Sequence, residues 1–286
     1  MVYRRAHFDT NIYRIDLRDK NGRVGAPQKL IASTYPDREQ EYSPDGKMIA
    51  LTSARSGNDE IWVCNADGSN PRQVTSIGGA ATGDVRWSPD GKTLLFDSRK
   101  DGSADLYLTG AEGGSLRRLT SDPGYEGEAS WSRDGKWIYF RSDRTGHEEV
   151  YRMPAGGGKA IQVTTRGGLY ASESPDGKWL YYSKGKDSAG PYALWKVAPG
   201  GGEERQFHEG PLGQSFNFVV VDDGIYFANA GGTLDFVDFA TGQGKPICKV
   251  DKGWEFGLTI SPDRRWILCS LSEEGFNDLM LVENFR

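Results

Sequence analysis

Short runs of aliphatic, β-branched and aromatic residues recur along the chain, and residues that favour turns separate them. Four of these runs occupy the same place in a repeating pattern: 48–51 (Met-Ile-Ala-Leu), 93–96 (Thr-Leu-Leu-Phe), 137–140 (Trp-Ile-Tyr-Phe) and 179–182 (Trp-Leu-Tyr-Tyr). Runs of this length and composition predict β-strands. The chain also contains 38 glycines and 13 prolines, which destabilise helix interiors. The pattern therefore predicts an all-β fold.

A five-residue turn phrase precedes each of these runs. It reads Ser-Pro-Asp-Gly-Lys at 43–47, 88–92 and 174–178, reads Ser-Arg-Asp-Gly-Lys at 132–136, and has divergent copies at 222–224 and 261–265. Proline presets φ, aspartate bonds to its own backbone and glycine adopts the left-handed conformation, so the phrase predicts a hairpin. Counted at the position of the proline, successive copies lie 45, 44, 42, 47 and 40 residues apart. This period is typical of a four-stranded propeller blade.

Two further strand-like segments complete each repeat, such as 60–63 and 72–75, with a glycine turn between them. The sequence therefore predicts a six-bladed β-propeller of four-stranded antiparallel blades, in which residues 1–286 form a single propeller domain. Because one blade is too thin to bury both of its faces, we expect neighbouring blades to cover them.

The two ends of the chain fit this scheme less simply. The last repeat supplies strand-like segments at 258–260, 266–268 and 279–281, and the N-terminal stretch supplies segments at 2–4, 11–15 and 28–31. We expect the N-terminal outer strand to close the last blade, which leaves 11–15 without an assigned place. The alternative is a seven-bladed ring whose first blade lacks its inner strand. The truncated first repeat also indicates a fragment of a longer protein.

The repeats resemble a known family. The turn phrase, followed by Ala-Leu-Thr-Ser (50–53), a Ser-x-Arg-x-Gly loop (53–57) and Glu-Ile-Trp-Val (60–63), resembles the propeller repeats of TolB and of dipeptidyl-peptidase N-terminal domains. The segments 8–14 and 278–286 are similar to the C-terminal propeller region of bacterial winged-helix regulators and membrane-linked serine/threonine kinases. The resemblance implies a noncatalytic sensory or protein-interaction module of a bacterial signalling protein, in an extracytoplasmic or periplasmic location.

Charge and composition exclude some partners. The 35 Lys and Arg residues against 40 Asp and Glu residues give a net charge of −5, and no basic face is long enough to neutralise a phosphate backbone, so we expect no direct nucleic-acid binding. The longest apolar runs, such as 218–221, are far shorter than the ~20 residues that span a bilayer, so this segment is not expected to insert into a membrane. Three widely separated cysteines provide neither a complete disulfide framework nor a CxxC zinc motif.

Enzyme signatures are incomplete. The segment 213–217 approaches the G-x-S-x-G nucleophile elbow but ends in Asn217, and His147-Glu148 begins a zincin-like motif in which Tyr151 replaces the second histidine. The sequence therefore predicts a protein that is not an enzyme and has no catalytic residues, metal or cofactor. The alternative is a carbohydrate-active, lyase-type propeller, because propellers with similar repeats resemble pectin-fragment lyases that hold a metal with His and Gln. The small number of histidines argues against that alternative.

The candidate ligand site is the mouth of the central channel. Four positions before the turn serine, where the chain enters the channel, equivalent residues are Glu39, Asp84, Glu128, Tyr170 and Gly257. If the three acids converge, they attract a small cationic ligand or a basic segment of a protein or peptide partner. The alternative is that each acid accepts hydrogen bonds from loop backbone within its own blade.

Two further patterns have simple interpretations. Arg55 with Glu60, Lys100 with Asp105 and Arg144 with Glu149 recur across the same hairpin loop and are interpreted as surface ion pairs. Most of the eight tryptophans fall at equivalent positions in the repeats, which favours packing between blades. Trp254 is out of register and predicted to lie in a loop, so we include it among the candidate ligand-binding residues.

Overall fold

The computed structural model describes residues 2–6, 9–18, 22–185, 190–273 and 277–281. These residues form β-strands joined by turns and loops, and among them no helix is long and apolar enough to cross a membrane. The N-terminal segment contains β1 (Val2–Ala6), β2 (Asp9–Asp16) and β3 (Gln28–Ile31). The all-β prediction is therefore confirmed for the described residues as a whole.

Three regular units of four strands follow. The first contains β4 (Asp37–Tyr42), β5 (Met48–Ser53), β6 (Glu60–Asn65) and β7 (Arg72–Gln73). The second contains β8 (Thr82–Trp87), β9 (Thr93–Ser98), β10 (Asp105–Gly110) and β11 (Arg117–Arg118). The third contains β12 (Glu126–Trp131), β13 (Trp137–Ser142), β14 (Glu149–Pro154) and β15 (Ile161–Gln162). Each unit is an antiparallel sheet in which consecutive strands pair.

The next two units are joined into one sheet. The fourth unit contains β16 (Ala171–Glu173), β17 (Leu180–Gly185), β18 (Tyr192–Val197) and β19 (Arg205–Leu212). The fifth contains β20 (Phe218–Val220), β21 (Gly224–Asn229), β22 (Thr233–Asp238) and β23 (Gly244–Lys249). One residue pair, Leu212 with Asn229, connects the outer strand β19 to β21. The eight-stranded sheet is thus two four-stranded units linked at one point.

The last unit is assembled from both chain ends. After β23 come β24 (Gly253–Ile260), β25 (Trp266–Glu273) and β26 (Asn277–Leu281). The sheet order is β24-β25-β2-β3, so the segment 11–15, which the sequence analysis left without a place, lies in β2 as the third strand of this sheet. The expectation that 279–281 supplies a strand of the last unit's sheet is wrong. That segment pairs with β1 in a separate two-stranded sheet, because β2 already occupies the edge of β25 with all eight of its residues.

The first strand of each unit contacts the first strands of the units beside it. Each first strand contacts the next one in the order β4, β8, β12, β16, β20, β24, and β24 in turn contacts β4. Apolar side chains of neighbouring units pack between the sheets. In one such cluster Ala50, Ile61 and Val63 of the first unit meet Val85 and Phe96 of the second. The prediction that neighbouring units cover each other's faces is therefore confirmed for these sheets.

The turn phrase forms the predicted hairpins. In the first copy the Ser43 hydroxyl donates to Asp45 Oδ1 at 2.7 Å, and the same carboxylate accepts the Lys47 backbone N–H at 3.1 Å. Gly46 has a φ of 71°, which glycine adopts at little cost. The other copies repeat the serine–aspartate bond, at Ser88, Ser132, Ser174 and Ser261. These aspartates cap turns.

Candidate functional site

The three acids predicted to lie at the channel mouth share an unusual backbone conformation. Glu39, Asp84 and Glu128 have φ values of 55°, 54° and 50°, which non-glycine residues seldom adopt. Each lies where its strand, β4, β8 or β12, shifts register against the second strand of the unit. Gly257 in β24 occupies the equivalent bulge with a φ of 116°. A bulge turns the side chain at this position away from the ordinary alternation of the strand.

Glu39 connects the first unit to the second. Its Oε2 accepts the backbone N–H of Asp84 at 2.9 Å and the Thr52 hydroxyl at 2.7 Å. Gly83 allows this approach, because a Cβ at that position would overlap the Glu39 carboxylate. Arg38 donates to the other carboxylate oxygen at 3.3 Å. The acid thus takes a hydrogen bond from backbone of a neighbouring unit, contrary to the alternative that each acid is satisfied only within its own blade.

Asp84 is buried among other carboxyl groups whose charges act on it. Burial, followed by the charges of Glu39 and Asp97, raises its pKa well above the usual range for aspartate. Its Oδ1 is buried and has no hydrogen-bond partner among the described residues. The residue is 8% exposed. A buried carboxylate oxygen of this kind is costly unless a partner arrives.

Asp97 is the member of the group that sequence reasoning missed. It lies on β9 opposite Gly83, and burial together with the charges of Glu39 and Glu128 raises its pKa. Asp97 could have been found from its place on the second strand, because it pairs with the residue that precedes Asp84, and each unit has a second-strand residue at this position. That position holds Thr52 in the first unit and Arg141 in the third. We call Glu39, Asp84, Asp97 and Glu128 the acidic cluster.

Glu128 closes the acidic cluster on the side of the third unit. It forms an ion pair with Arg141 and lies 3.5 Å from the Ser215 hydroxyl. Burial raises its pKa, and Arg141 offsets part of that effect. Tyr125 lies beside the cluster, and burial followed by the charges of Asp97 and Glu128 raises its pKa. Arg141, which is shared with Glu148, thus pairs with Glu128, while Arg38 pairs with Glu39. The charges of Arg86 and Arg99 also act on the cluster, which limits its negative potential.

Tyr170 and Trp254 lie in different surroundings. Tyr170 is buried, with the Arg86 guanidinium 5.4 Å from its ring centroid and the Phe218 ring at 5.1 Å. Trp254 lies in β24, where it pairs with Leu271 of β25 and packs against the apolar core of the last unit. The prediction that it lies in a loop is therefore wrong. The sequence did not reveal the long bulge after Trp254 that lets β24 begin at Gly253.

The interpretation of the recurring charges as surface ion pairs is also wrong. Arg55 pairs with Asp37 at 2.8 Å, and Arg144 pairs with Glu126, so both arginines bind the acid that begins the first strand of the unit. Glu60 and Glu149 are buried and accept the hydroxyls of Thr75 and Thr164, which follow the fourth strands of their units. These groups are internal networks of each unit, which the sequence order alone did not distinguish from loop pairs.

No group of three or more histidine, cysteine, aspartate or glutamate side chains has an arrangement suited to a metal within the described ranges. His7 lies outside those ranges. His147 contacts Glu149 at 3.1 Å, and His208 packs near the Phe227 ring.

A cavity of about 450 Å³ lies at the opposite end of the inner strands, beside the turn phrases. The prolines at the second turn position of four units line it, and the third and fifth units contribute Arg133 and Asp222 at the same position. These residues are Pro44, Pro89, Arg133, Pro175, Asp222 and Pro262. We call this space the turn-face cavity.

Comparison with known sequences places the repeats in a family. Residues 79–219 match the family model described as the TolB beta propeller domain. A segment of 69 residues is 38% identical to the Tol-Pal system protein TolB of Hahella chejuensis. That segment is 24% of this chain and 16% of the relative, so the match spans a small part of the length of that protein.

Solved structures share the fold. A putative TolB from Agrobacterium tumefaciens superposes with a TM-score of 0.75 at 19% identity, over 93% of this chain and 99% of that one. TolB from Acinetobacter baumannii gives 0.65 at 21% identity, over 94% and 65%. A puromycin-hydrolysing peptidase from Mycobacterium tuberculosis gives 0.61 at 16% identity, over 83% and 44%. TolB-like propellers are usually protein-interaction modules, and the repeats and sheets of this chain are TolB-like.

Proposed function

We propose that residues 1–286 form a single propeller domain, in which the six four-stranded units close into one ring. The circular order of contacts between the first strands supports this proposal. So does the last unit, in which β2 and β3 from the N-terminal segment complete a sheet begun by β24 and β25. Closure by strands from both chain ends is a common way for a propeller to protect its sheet edges.

We also propose that this ring is a noncatalytic sensory or protein-interaction module, and that the acidic cluster binds a basic segment of a protein partner or a small cationic ligand. The observation that carries this proposal is the buried Asp84 Oδ1, which has no hydrogen-bond partner among the described residues while three other carboxyl groups surround it. A protonated amine or a guanidinium would donate to that oxygen. It would also offset the repulsion that raises the pKa of Asp84 and of Asp97.

A protein partner is the occupant we favour. TolB of Hahella chejuensis, to which a segment of the chain is similar, is described as a Tol-Pal system protein, and TolB-like propellers are usually protein-interaction modules. Tyr170 contacts Arg86, whose charge acts on Asp84 and Glu128, and on that basis we assign it to the wall of the site. Trp254, whose indole N–H is buried without a partner among the described residues, is assigned to the same end of the ring.

The test is binding of a lysine- and arginine-rich peptide by calorimetry, at low and at high salt. We expect the parent protein to bind the peptide more weakly as salt rises. The triple variant Glu39→Gln, Asp84→Asn, Glu128→Gln should lose at least about tenfold in affinity, because it removes three of the four negative charges that converge there. Putrescine, tested in the same way, distinguishes a small cationic ligand from a peptide.

The control variant removes the same charge from elsewhere on the surface. Glu112→Gln, Glu203→Gln, Asp251→Asn changes three side chains that are 90%, 72% and 77% exposed. This variant should bind as the parent does, within about twofold after correction for long-range charge. Equal loss in both triple variants would contradict the assignment of binding to the acidic cluster.

A further inference from the structure

One residue that lines the turn-face cavity, Arg133, replaces the proline of the repeat and could bind a ligand. Three regular copies of the turn phrase have proline at the second position, whereas the third copy has Arg133. Unlike proline, Arg133 has a backbone N–H, and it donates to Glu173 Oε2 of the next unit at 2.7 Å. The replacement therefore changes both the backbone bonding and the charge of one turn that lines the cavity.

The Arg133 side chain lies across the cavity rim. Its Nε donates to the Glu173 carbonyl at 3.2 Å, and its Nη2 donates to the Val220 carbonyl of the fifth unit at 3.2 Å. Both partners are neutral carbonyl groups, and the guanidinium forms no ion pair with a carboxylate of the described residues. The positive charge is thus fixed in place by two units while its other nitrogen is available to a ligand.

A second arginine lies deeper in the same cavity. Arg86 is 7% exposed and donates to the Val85 carbonyl at 2.8 Å. Its guanidinium is hydrogen-bonded to Tyr170, and the charges of Glu41 and Asp84 act on it. Glu41 accepts the Trp87 backbone N–H, and burial raises the pKa of Glu41. Arg264 also lines the cavity, but Asp223 pairs with it at 2.5 Å. Asp222 is exposed to solvent at the rim.

The walls of the cavity supply apolar surface and one unused donor. The Trp131 indole Nε1 is buried and has no partner in the described part of the chain. Trp87, Leu258 and Phe218 line the cavity with it. A volume of about 450 Å³ lies at the lower end of the range usual for small-molecule sites.

We propose that the turn-face cavity binds a carboxylate group attached to an apolar body. Arg133 and Arg86 receive the carboxylate, Trp131 donates a further hydrogen bond, and the apolar walls cover the remainder of the ligand. The same chemistry is offered by a free aromatic or aliphatic acid and by the C-terminal carboxylate of a peptide that ends in an apolar residue. Arg86 also acts on Asp84 and Glu128 of the acidic cluster, so the two sites share a neighbour, but they take ligands of opposite charge and the test of this site is independent of the proposed function.

The test compares N-acetyl-phenylalanine with its C-terminal amide, and a hexapeptide ending in free phenylalanine with the amidated hexapeptide, by calorimetry. At least one of the two carboxylates should bind, and its amide should bind at least about tenfold more weakly, because the charge-assisted bonds are lost. Binding of the free acid alone indicates a small-molecule ligand, and binding of the peptide alone indicates a partner's C-terminus. Absence of binding for both acids, or equal binding of acid and amide, would overturn the proposal.

Variants locate the binding. Arg133→Pro restores the turn phrase of the other units and should weaken carboxylate binding at least about tenfold without unfolding the protein. Trp131→Phe keeps an aromatic ring, removes the donor, and should weaken binding about threefold or more. The control is Arg117→Gln, which removes an exposed arginine that donates to a backbone carbonyl at 2.9 Å far from the cavity. Unchanged binding in folded Arg133→Pro would place the carboxylate elsewhere and refute the site.

Discussion

The Oε2 atom of Glu39 lies 2.9 Å from the backbone nitrogen of Asp84, although the two residues are 45 positions apart and belong to successive units. Both residues lie at the strand bulge of their unit, so a side chain from one bulge accepts a hydrogen bond from the backbone of the next bulge. The bond fixes the Glu39 carboxylate above Gly83 and keeps it close to the Asp84 carboxyl group. The acidic cluster is therefore held by the joint between two sheets, and the position of its charges depends on how those sheets pack.

Gly83 is predicted to be intolerant of a larger side chain. A Cβ at this position would overlap the Glu39 carboxylate, and moving that carboxylate would break the hydrogen bonds it accepts from the Asp84 backbone N–H and the Thr52 hydroxyl. We expect Gly83→Ala to lower the free energy of unfolding by about 1–3 kcal/mol. Urea unfolding followed by circular dichroism measures the change.

The matched control is Gly156→Ala. No atom lies within 4 Å of a Cβ built on Gly156, and that residue is absent from the positive-φ positions. Alanine there should leave stability unchanged or raise it by about 0.4–1 kcal/mol. Similar losses in both variants would show that Gly83 does not specifically accommodate Glu39.

The raised pKa values of Asp84 and Asp97 predict a pH dependence of stability. Such groups keep their protons to a higher pH in the folded chain than in the unfolded chain, so their contribution to stability is lost as pH rises from about 4 through the folded pKa. We expect Asp84→Asn and Asp97→Asn to become more stable relative to the parent between about pH 4.5 and about pH 8. Thermal unfolding across that interval provides the measurement.

Asp176 supplies a control with the opposite sign. Hydrogen bonds from Ser174 and from the Lys178 backbone lower its pKa to about 2. Its contribution is present above the unfolded pKa and is lost as pH falls through the folded value. Between about pH 4.5 and about pH 8, the stability of Asp176→Asn should therefore change with pH as the stability of the parent does. A parent-like slope in the Asp84 and Asp97 variants would contradict the prediction.

Asn11 is predicted to be a site where substitution stabilises the protein. It is fully buried in β2, and neither atom of its amide has a partner in the described ranges. In the first unit the equivalent Glu60 accepts the hydroxyl of Thr75, which follows the residue paired with Ile61. In this sheet Ile12 pairs with Ile31, so the corresponding residue is Ala32, which has no hydroxyl. Asn11→Leu should raise the free energy of unfolding by about 1 kcal/mol, because it removes unsatisfied polar atoms.

Ala32→Thr tests the same explanation from the other side. The new hydroxyl gives Asn11 a hydrogen-bond partner, so we expect this variant alone to stabilise the protein by about 0.5–1.5 kcal/mol. In the double variant with Asn11→Leu, the threonine should not raise the free energy of unfolding further, because the amide it would bond to is absent. Denaturation of the single and double variants measures the coupling. Destabilisation by Asn11→Leu would mean that the amide contributes a favourable interaction.

The repeat made the strands and hairpins predictable, because turn chemistry is local. The serine–aspartate bond of each turn needs only two residues that are close in sequence. The three candidate acids were found through the same periodicity. Asp97 was missed because its relation to Gly83 depends on the register between two strands.

The chain ends were harder to predict for a similar reason. Segments 11–15 and 279–281 both have the pattern of a third strand, and pairing between distant parts of the chain decides which one joins β25. The ion partners of Arg55 and Arg144 depend on the same kind of distant register. Local pattern therefore specified the elements, and long-range pairing specified their partners.

Both proposed sites depend on a ring that is closed by β2 on β25, and hydrogen–deuterium exchange of this strand tests that closure most directly. We compare a peptide fragment that covers Asp9–Asp16 with one that covers Met48–Ser53, an internal strand of the first unit. If the ring is closed, the amides of both strands exchange slowly and to a similar extent. Rapid exchange of Asp9–Asp16 while Met48–Ser53 stays protected would contradict closure by the N-terminal segment.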